Sequence, residues 1–241
     1  MIALVGTGFY LMVKLRCVQF RGFAHAIGVI LGKYDKKTDP GEISHFSALT
    51  TALSATIGTG NIVGVAAAIL IGGPGAVFWM WITAWVGMAT KFTSCTLAVR
   101  FRRIGSDGES HGGPMHFIEL GMGKRFKWLA VLFASFTALA SFGIGNMFQI
   151  SSMVTAVNGI VLGEGKEVLF SIRLVVGFLT AGIVAAVILG GIKRIANVAS
   201  KLVPIMCLMY IGAGLIILFK NIDLIIPGIQ LILTQAFHAP E

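Results

Sequence analysis

The sequence predicts an all-α integral membrane protein, and its composition and hydropathy both indicate this class. The chain has 241 residues, of which 56% are hydrophobic and only 12% are charged, whereas soluble domains carry roughly 25% charged residues. Its mean hydropathy is +0.88. Because so few charged residues cannot cover a globular surface, a soluble enzyme domain, a disordered tail and a fibrous rod are excluded.

Five apolar stretches reach or approach the length of about 20 residues that a helix needs to cross a bilayer. They cover residues 46–71, 74–99, 128–162, 168–191 and 202–219. The opening stretch, residues 1–13, is too short to span before Lys14, and we expect it to be the end of a helix whose beginning is missing. Residues 223–237 form a shorter apolar piece.

The basic residues predict the orientation of these spans. With five crossings, all but three of the 19 lysines and arginines fall on one side, the exceptions being Lys166, Arg173 and Lys220. Basic residues mark the cytoplasmic side of a membrane protein. Their placement between apolar spans therefore indicates orientation rather than nucleic-acid binding, and we expect a multi-pass protein of the plasma membrane, specifically a bacterial inner membrane.

One span is interrupted near its middle by the sequence Ser54-Ala-Thr-Ile-Gly-Thr-Gly-Asn61. Glycine, threonine and asparagine weaken a helix here, and an opened backbone is tolerated in lipid only where it lines a cavity or meets protein. The carbonyls from Ser54 to Ile57 could then coordinate a cation, and the amides from Gly60 onward could face a carboxylate. The alternative is that Gly60 and Gly64 form a packing seam for a neighbouring helix.

The stretch 128–162 would be roughly 50 Å long as a single helix, so it must tilt or project from the bilayer. It carries Asn146 and Gln149, which are three residues apart and share a helix face. Amide side chains in a span either bond to neighbouring helices or face a polar cavity. The sequence leaves both alternatives open.

Enzyme motifs are absent from the sequence. It contains no metalloprotease, phosphate-loop, serine-hydrolase or dinucleotide-binding pattern, and the predicted spans hold no Asp, Glu or His except His45 at the first boundary. The glycine-rich run 105–113 is expected to be a flexible cytoplasmic connection, followed by an interfacial helix at 116–120. We therefore expect a protein that is not an enzyme and has no cofactor.

Several stretches of the sequence resemble the alanine or glycine:cation symporter family. They include residues 46–66 with the Gly-Thr-Gly-Asn interruption, 72–81, 87–91, 112–119, 143–149 and 190–195, in the order that the family has them. The resemblance implies a sodium-coupled importer of alanine and glycine, with protons as an alternative coupling ion.

The resemblance also implies a leucine-transporter-like fold, which has two inverted five-helix repeats, each beginning with a broken helix. On that basis residues 46–221 are the first repeat, and residues 222–241 are an extracellular extension that stops before the second. Residues 1–20 are the remnant of an N-terminal transmembrane helix, and residues 21–45 are a cytoplasmic or interfacial connection.

Site residues follow from the same resemblance, position by position. The residues implied to contact the substrate are Thr59, Gly60, Asn61 and Gln149. The residues implied to bind sodium are Ser54, Thr56, Ile57 and Asn61.

Two departures from the family bear on function. Ser94 stands where the family usually has a glutamate, which places a coupling or gating role of that carboxylate in doubt. The chain also has about half of the family's usual length, so we expect it to be inactive alone. The alternatives are a split-transporter half that needs a second chain with the missing repeat, and a non-transporting membrane module.

Overall fold

The computed structural model describes residues 2–34, 43–106, 110–143, 146–163 and 167–237, and nearly all of them are helical. The helices are α1 (Ile2–Lys14), α2 (Val18–Arg21), α3 (Phe23–Ile30), α4 (His45–Thr56), α5 (Val63–Gly72), α6 (Gly75–Arg100), α7 (Pro114–Met122), α8 (Lys127–Ser141), α9 (Asn146–Leu162), α10 (Phe170–Ile188), α11 (Gly191–Lys220) and α12 (Ile225–Gln235). Short 3-10 turns lie at Thr59–Asn61, Lys124–Phe126 and Ile222–Leu224.

The strands of the described part are two residues long. They are β1 (Arg103–Ile104) and β2 (Ser110–His111), which pair antiparallel with Arg103 opposite His111. Their pairing brings together the two ends of the glycine-rich run 105–113. Residues 107–109 of this run are not among the residues that the structure describes. The helix predicted at 116–120 is confirmed as α7.

Within the described residues, three helical ranges are long and apolar enough to cross a membrane: Lys124–Leu162, Phe170–Ile188 and Gly191–Lys220. The bent pair α4 and α5 adds a fourth if it forms one span. Helix α6 has 26 residues, which is a sufficient length for crossing, but it is less apolar because it includes threonines and Lys91. The prediction of an all-α membrane protein is confirmed.

The first predicted span is broken where the sequence predicted an interruption. Helix α4 ends at Thr56, and the second half-helix begins with the 3-10 turn at Thr59. The two halves are bent by 62° relative to each other. The break is therefore a change of direction and not only a local loosening of hydrogen bonds.

The span predicted over 128–162 lies within the candidate span Lys124–Leu162, but it consists of two helices with a turn between them. Helix α8 ends at Ser141, Phe142 and Gly143 form a turn, and α9 begins at Asn146. The Asn146 Nδ2 group donates a hydrogen bond of 2.9 Å to the Ser141 carbonyl. This side-chain bond satisfies a carbonyl at the end of α8, which stabilises the interruption that the flexible Gly143 permits.

The apolar stretch predicted as the last long span, residues 202–219, lies within α11, and the helix begins earlier, at Gly191. Lys193 and Lys201 therefore lie in a helix instead of a connecting loop. A search for unbroken apolar sequence stops at such charges. The helix is amphipathic here, and its buried residues recur at helical spacing: Ala196, Ala199 and Val203.

Two helix pairs organise the described part of the chain. Helix α11 lies along α4, and α1 lies along α6. The small buried side chains of α11 allow a close approach to α4, whose Thr50 is only 2% exposed. The half-helix before the break is thus held by packing against α11.

The segment after α11 docks onto the start of α6. The Trp79 Nε1 group donates a hydrogen bond of 2.7 Å to the Ala236 carbonyl, and the Phe237 ring lies 5.5 Å from the ring of Phe78 and 5.9 Å from that of Trp79. Gly75 packs directly against the backbone of Gln235. The absence of a side chain at Gly75 therefore sets how closely α12 approaches α6.

A Gly75→Ala variant should loosen this contact. A Cβ atom at this position would overlap the Gln235 carbonyl, and such overpacking costs about 1–3 kcal/mol. We expect faster amide hydrogen exchange across residues 225–237 in detergent micelles. The control is Gly177→Ala in α10, where a Cβ would meet nothing within 4 Å. Unchanged exchange in 225–237 for Gly75→Ala would contradict the docking.

Candidate functional site

The break between α4 and α5 is built by a short run of poor helix formers. After Thr56 the backbone of Ile57 is extended, with φ −87° and ψ 108°, and Gly58 is extended as well. Thr59, Gly60 and Asn61 then form a single 3-10 turn. Glycine and threonine have low helix propensity. The regular α-helical hydrogen bonds of the backbone therefore stop at this point.

Several backbone carbonyls at the end of α4 lose their helical partners. Among the described residues, no backbone amide donates to the carbonyls of Ser54, Ala55 or Ile57. The Thr56 carbonyl accepts a hydrogen bond of 3.2 Å from the Asn61 Nδ2 group. Neutral oxygens at the negative end of a helix are suitable ligands for a hard cation.

Two hydroxyl groups lie in the same turn of α4. Ser54 Oγ donates to the Thr51 carbonyl at 2.7 Å, and Thr56 Oγ1 donates to the Ala52 carbonyl at 2.8 Å. Because each hydroxyl uses its hydrogen in this bond, its oxygen lone pairs remain as acceptors. These oxygens add to the carbonyls as potential cation ligands.

On the other side of the break, backbone amides lack acceptors. The Asn61 amide donates a hydrogen bond to the Gly58 carbonyl, and the Ile62 amide donates one to the Thr59 carbonyl. The amides of Gly58, Thr59 and Gly60 donate to no carbonyl of the described residues. Unpaired amides at the start of a helical segment attract an anion such as a carboxylate.

A buried hydroxyl and a side chain of α9 both lie at the break. Thr59 Oγ1 is buried and finds no hydrogen-bond partner among the described residues. Gln149, in the first turn of α9, lies beside the break, since a Cβ atom placed on Gly58 would be 3.2 Å from the Gln149 Nε2 group. The structure therefore brings Gln149 to the segment 58–61, although about 90 residues separate them.

The α4 side of the break borders a cavity of about 230 Å³. Ser54 and Ile57 line it together with residues of α10 and α11. Those residues are Val187, Ile195, Val198, Ala199, Leu202, Val203, Met206 and Cys207. No motif in the sequence places α11 at the site, although the helical spacing of its small and apolar residues is a signal for a packed wall.

The predicted site residues thus fall into two groups. Ser54 and Ile57 face the cavity at α11, and Thr59 lies near α9 with Gln149. The Asn61–Thr56 hydrogen bond links the two half-helices across the break. Gly60 and Asn61 are exposed.

A multi-pass helical protein with a span broken into two half-helices, carbonyls at one end and amides at the other, has the architecture of a secondary transporter. The comparison with known families gives the particular family. The model of the sodium:alanine symporter family matches residues 1–241. The chain therefore belongs to this family. It is a family of transporters, which confirms the expectation that the protein is not an enzyme.

Curated relatives are similar to the whole chain. The sodium/alanine symporter AgcS of Methanococcus maripaludis is 46% identical over 99% of this chain and 51% of its own length. The Bacillus subtilis protein described as a putative sodium/proton-dependent alanine carrier, YrbD, is 39% identical over 97% of this chain and 46% of its own. The probable sodium/glutamine symporter GlnT of the same species is 34% identical over 98% and 47%. The chain spans about half the length of these relatives.

The unpartnered hydroxyl of Thr59 generates a prediction about stability. A Thr59→Val variant should be as stable as the original protein or more stable in sodium-free buffer, because no intramolecular hydrogen bond is lost. The matched control is Thr50→Val, whose Oγ1 group donates to the carbonyls of Phe46 and Ser47 at 3.1 and 3.0 Å. We expect the control to lose about 0.5–1.5 kcal/mol. Thermal unfolding measures both, and equal losses would show that the Thr59 hydroxyl is already bonded.

Proposed function

We propose that the protein takes part in sodium-coupled symport of small neutral amino acids, chiefly alanine and glycine, across the plasma membrane. The observation that carries this proposal is the break at 57–61, which leaves carbonyls and amides without partners in the middle of a span. Membership of the sodium:alanine symporter family supports the coupling ion and the substrate class. In this proposal, residues 46–221 are the first of two inverted repeats.

Sodium binding is assigned to the α4 side of the break. We propose that the carbonyls of Ser54 and Ile57 border one ion, and that Thr56 and Asn61 border another. Asn61 uses its Nδ2 group for the Thr56 carbonyl, so its Oδ1 atom remains as a ligand. These ligands are neutral oxygens, which favours sodium over protons as the coupling ion, since none of them titrates near neutral pH.

Substrate binding is assigned to the other half of the break. The amides of Thr59 and Gly60 face the carboxylate of the amino acid, and Thr59 Oγ1 and Asn61 add polar contacts. Gln149 lines the same space. Its amide lies close to Gly58, where it can add a polar contact to a small amino acid.

Ion and substrate would bind cooperatively under this arrangement. A sodium ion at Asn61 lies next to the amides that receive the carboxylate, so each charge offsets the other in a region of low dielectric. Whichever binds first raises the affinity for the second, and the effect is reciprocal. Asn61 is the residue that both subsites share.

The chain supplies only half of the length of its relatives, and a site between two repeats needs both of them. We propose that residues 1–241 do not transport by themselves and function with a second half, which a second chain could carry. A non-transporting membrane module is the remaining alternative. Helices of this apolarity place the protein in a lipid bilayer.

Alanine uptake into proteoliposomes tests the proposal that residues 1–241 need a second half for transport. An inward sodium gradient should drive no alanine uptake into vesicles that contain residues 1–241 alone. Uptake should appear when the chain is co-expressed with the C-terminal half of the M. maripaludis relative. Replacing sodium by a pH gradient of equal driving force distinguishes proton coupling, and glutamine in place of alanine tests the substrate class. Sodium-driven uptake by the isolated chain would refute the proposal.

The shared role of Asn61 is tested in the complemented pair. Asn61→Ala should weaken sodium and alanine together, each by about tenfold or more, because hydrogen bonds to charged groups contribute about 1.5–3 kcal/mol. The control is Asn221→Ala at the end of α11, which also loses a side-chain bond to a helix carbonyl, that of Ile217. If only one of the two apparent affinities changed, Asn61 would belong to one subsite and not to both.

A further inference from the structure

A groove of about 400 Å³ runs between α1 and α6, away from the broken span. One wall is apolar and comes mainly from Leu4 and Val5 of α1 and Val86 of α6. Helix α1 approaches closely here, because Gly8 packs directly against the Val86 side chain. Thr90, Lys91 and Ser94 of α6 line the same groove and make part of it polar.

The polar residues of the groove lack partners within the protein. Lys91 is exposed and forms no ion pair or hydrogen bond with any described residue, and the hydroxyls of Thr90 and Ser94 form no hydrogen bond either. Other hydroxyls of α6 behave differently. Those of Thr83, Thr93 and Thr96 each donate to a carbonyl four residues earlier, at 2.8–2.9 Å.

This contrast is informative because a membrane offers few alternative partners. A hydroxyl in a lipid-facing helix ordinarily bonds to its own backbone, and an unpaired lysine in a span is costly. Among the described residues, those that line the groove include no acidic side chain. Lys91 and the Ser94 hydroxyl therefore form a positively charged donor pair beside an apolar wall, whereas Thr90 Oγ1 lies against Gly8 of α1.

The position along α6 fits a phosphate of the lipid. Lys91 lies nine residues before Arg100, where α6 ends, which corresponds to about 14 Å along the helix axis. The helix is about 39 Å long at this rise, and the hydrocarbon core is about 30 Å thick. The side chain of Lys91 can reach the level of the headgroups on the side where the other basic residues are predicted to lie.

We infer that this groove binds one anionic phospholipid, whose phosphate contacts Lys91 and Ser94 and whose acyl chain lies along Leu4, Val5 and Val86. The charge of the groove selects an anionic headgroup, and basic pockets between spans on the cytoplasmic side bind such lipids. The site is separate from the break and does not depend on the proposed transport function.

Native mass spectrometry of the detergent-purified chain tests the inference with phosphatidylglycerol and phosphatidylcholine of identical acyl chains. Phosphatidylglycerol should be retained preferentially, and Lys91→Gln should reduce its retention about fivefold, corresponding to about 1 kcal/mol for one lysine near the surface. Lys201→Gln in α11 is the control, since it removes the same charge from another exposed lysine. Equal reductions for both variants would overturn the site.

A second variant tests the anion requirement without removing the lysine. Ser94→Glu places a carboxylate three residues after Lys91 on the same face of α6, where it pairs with the ammonium group. It should abolish the preference for phosphatidylglycerol while circular dichroism shows unchanged helix content. Excess inorganic phosphate should not displace the bound lipid. Displacement by phosphate, or equal retention of the two lipids by the protein with Lys91 and Ser94 intact, would overturn the assignment to an anionic phospholipid.

Discussion

The constraint that governs this protein is that backbone amides and carbonyls inside a bilayer must find partners within the protein or in a ligand. Regular helices satisfy it along most of the described chain. At residues 57–61 the regular backbone hydrogen bonds are interrupted, and unpaired carbonyls and unpaired amides lie only a few residues apart. Carbonyls at a helix end suit a cation and unpaired amides suit a carboxylate, so these are the chemical species that the break is suited to receive.

The surrounding helices maintain the break because each half is held by a different neighbour. Helix α11 packs small side chains against α4, and α9 brings Gln149 to the 3-10 turn. The Asn61–Thr56 bond is a direct link between the halves.

The sequence was sufficient to predict features that depend on local chemistry. The break could be predicted because Gly58, Thr59 and Gly60 are poor helix formers within an apolar run. Features that depend on tertiary contacts could not. The start of α11 could not be predicted, because Lys193 and Lys201 interrupt the apolar run although they belong to an amphipathic helix. The docking of Ala236 onto Trp79 joins two residues that are far apart in the sequence and share no local pattern. Gln149 was implied as a site residue by family resemblance, since spacing alone left its role open.

Under the proposed function, the exposure of the site residues predicts that this half alone binds its ligands weakly. Gly60, Asn61, Ser54 and Thr56 are all exposed in this chain, so a cation or carboxylate at the break would meet protein on one side and open space on the other. The unpaired groups then set the chemistry of the site without enclosing it. Low dielectric strengthens these interactions only after water is excluded. Under the proposed function, the second half therefore has to supply the enclosure, and the coupling between ion and substrate develops only when both halves are present.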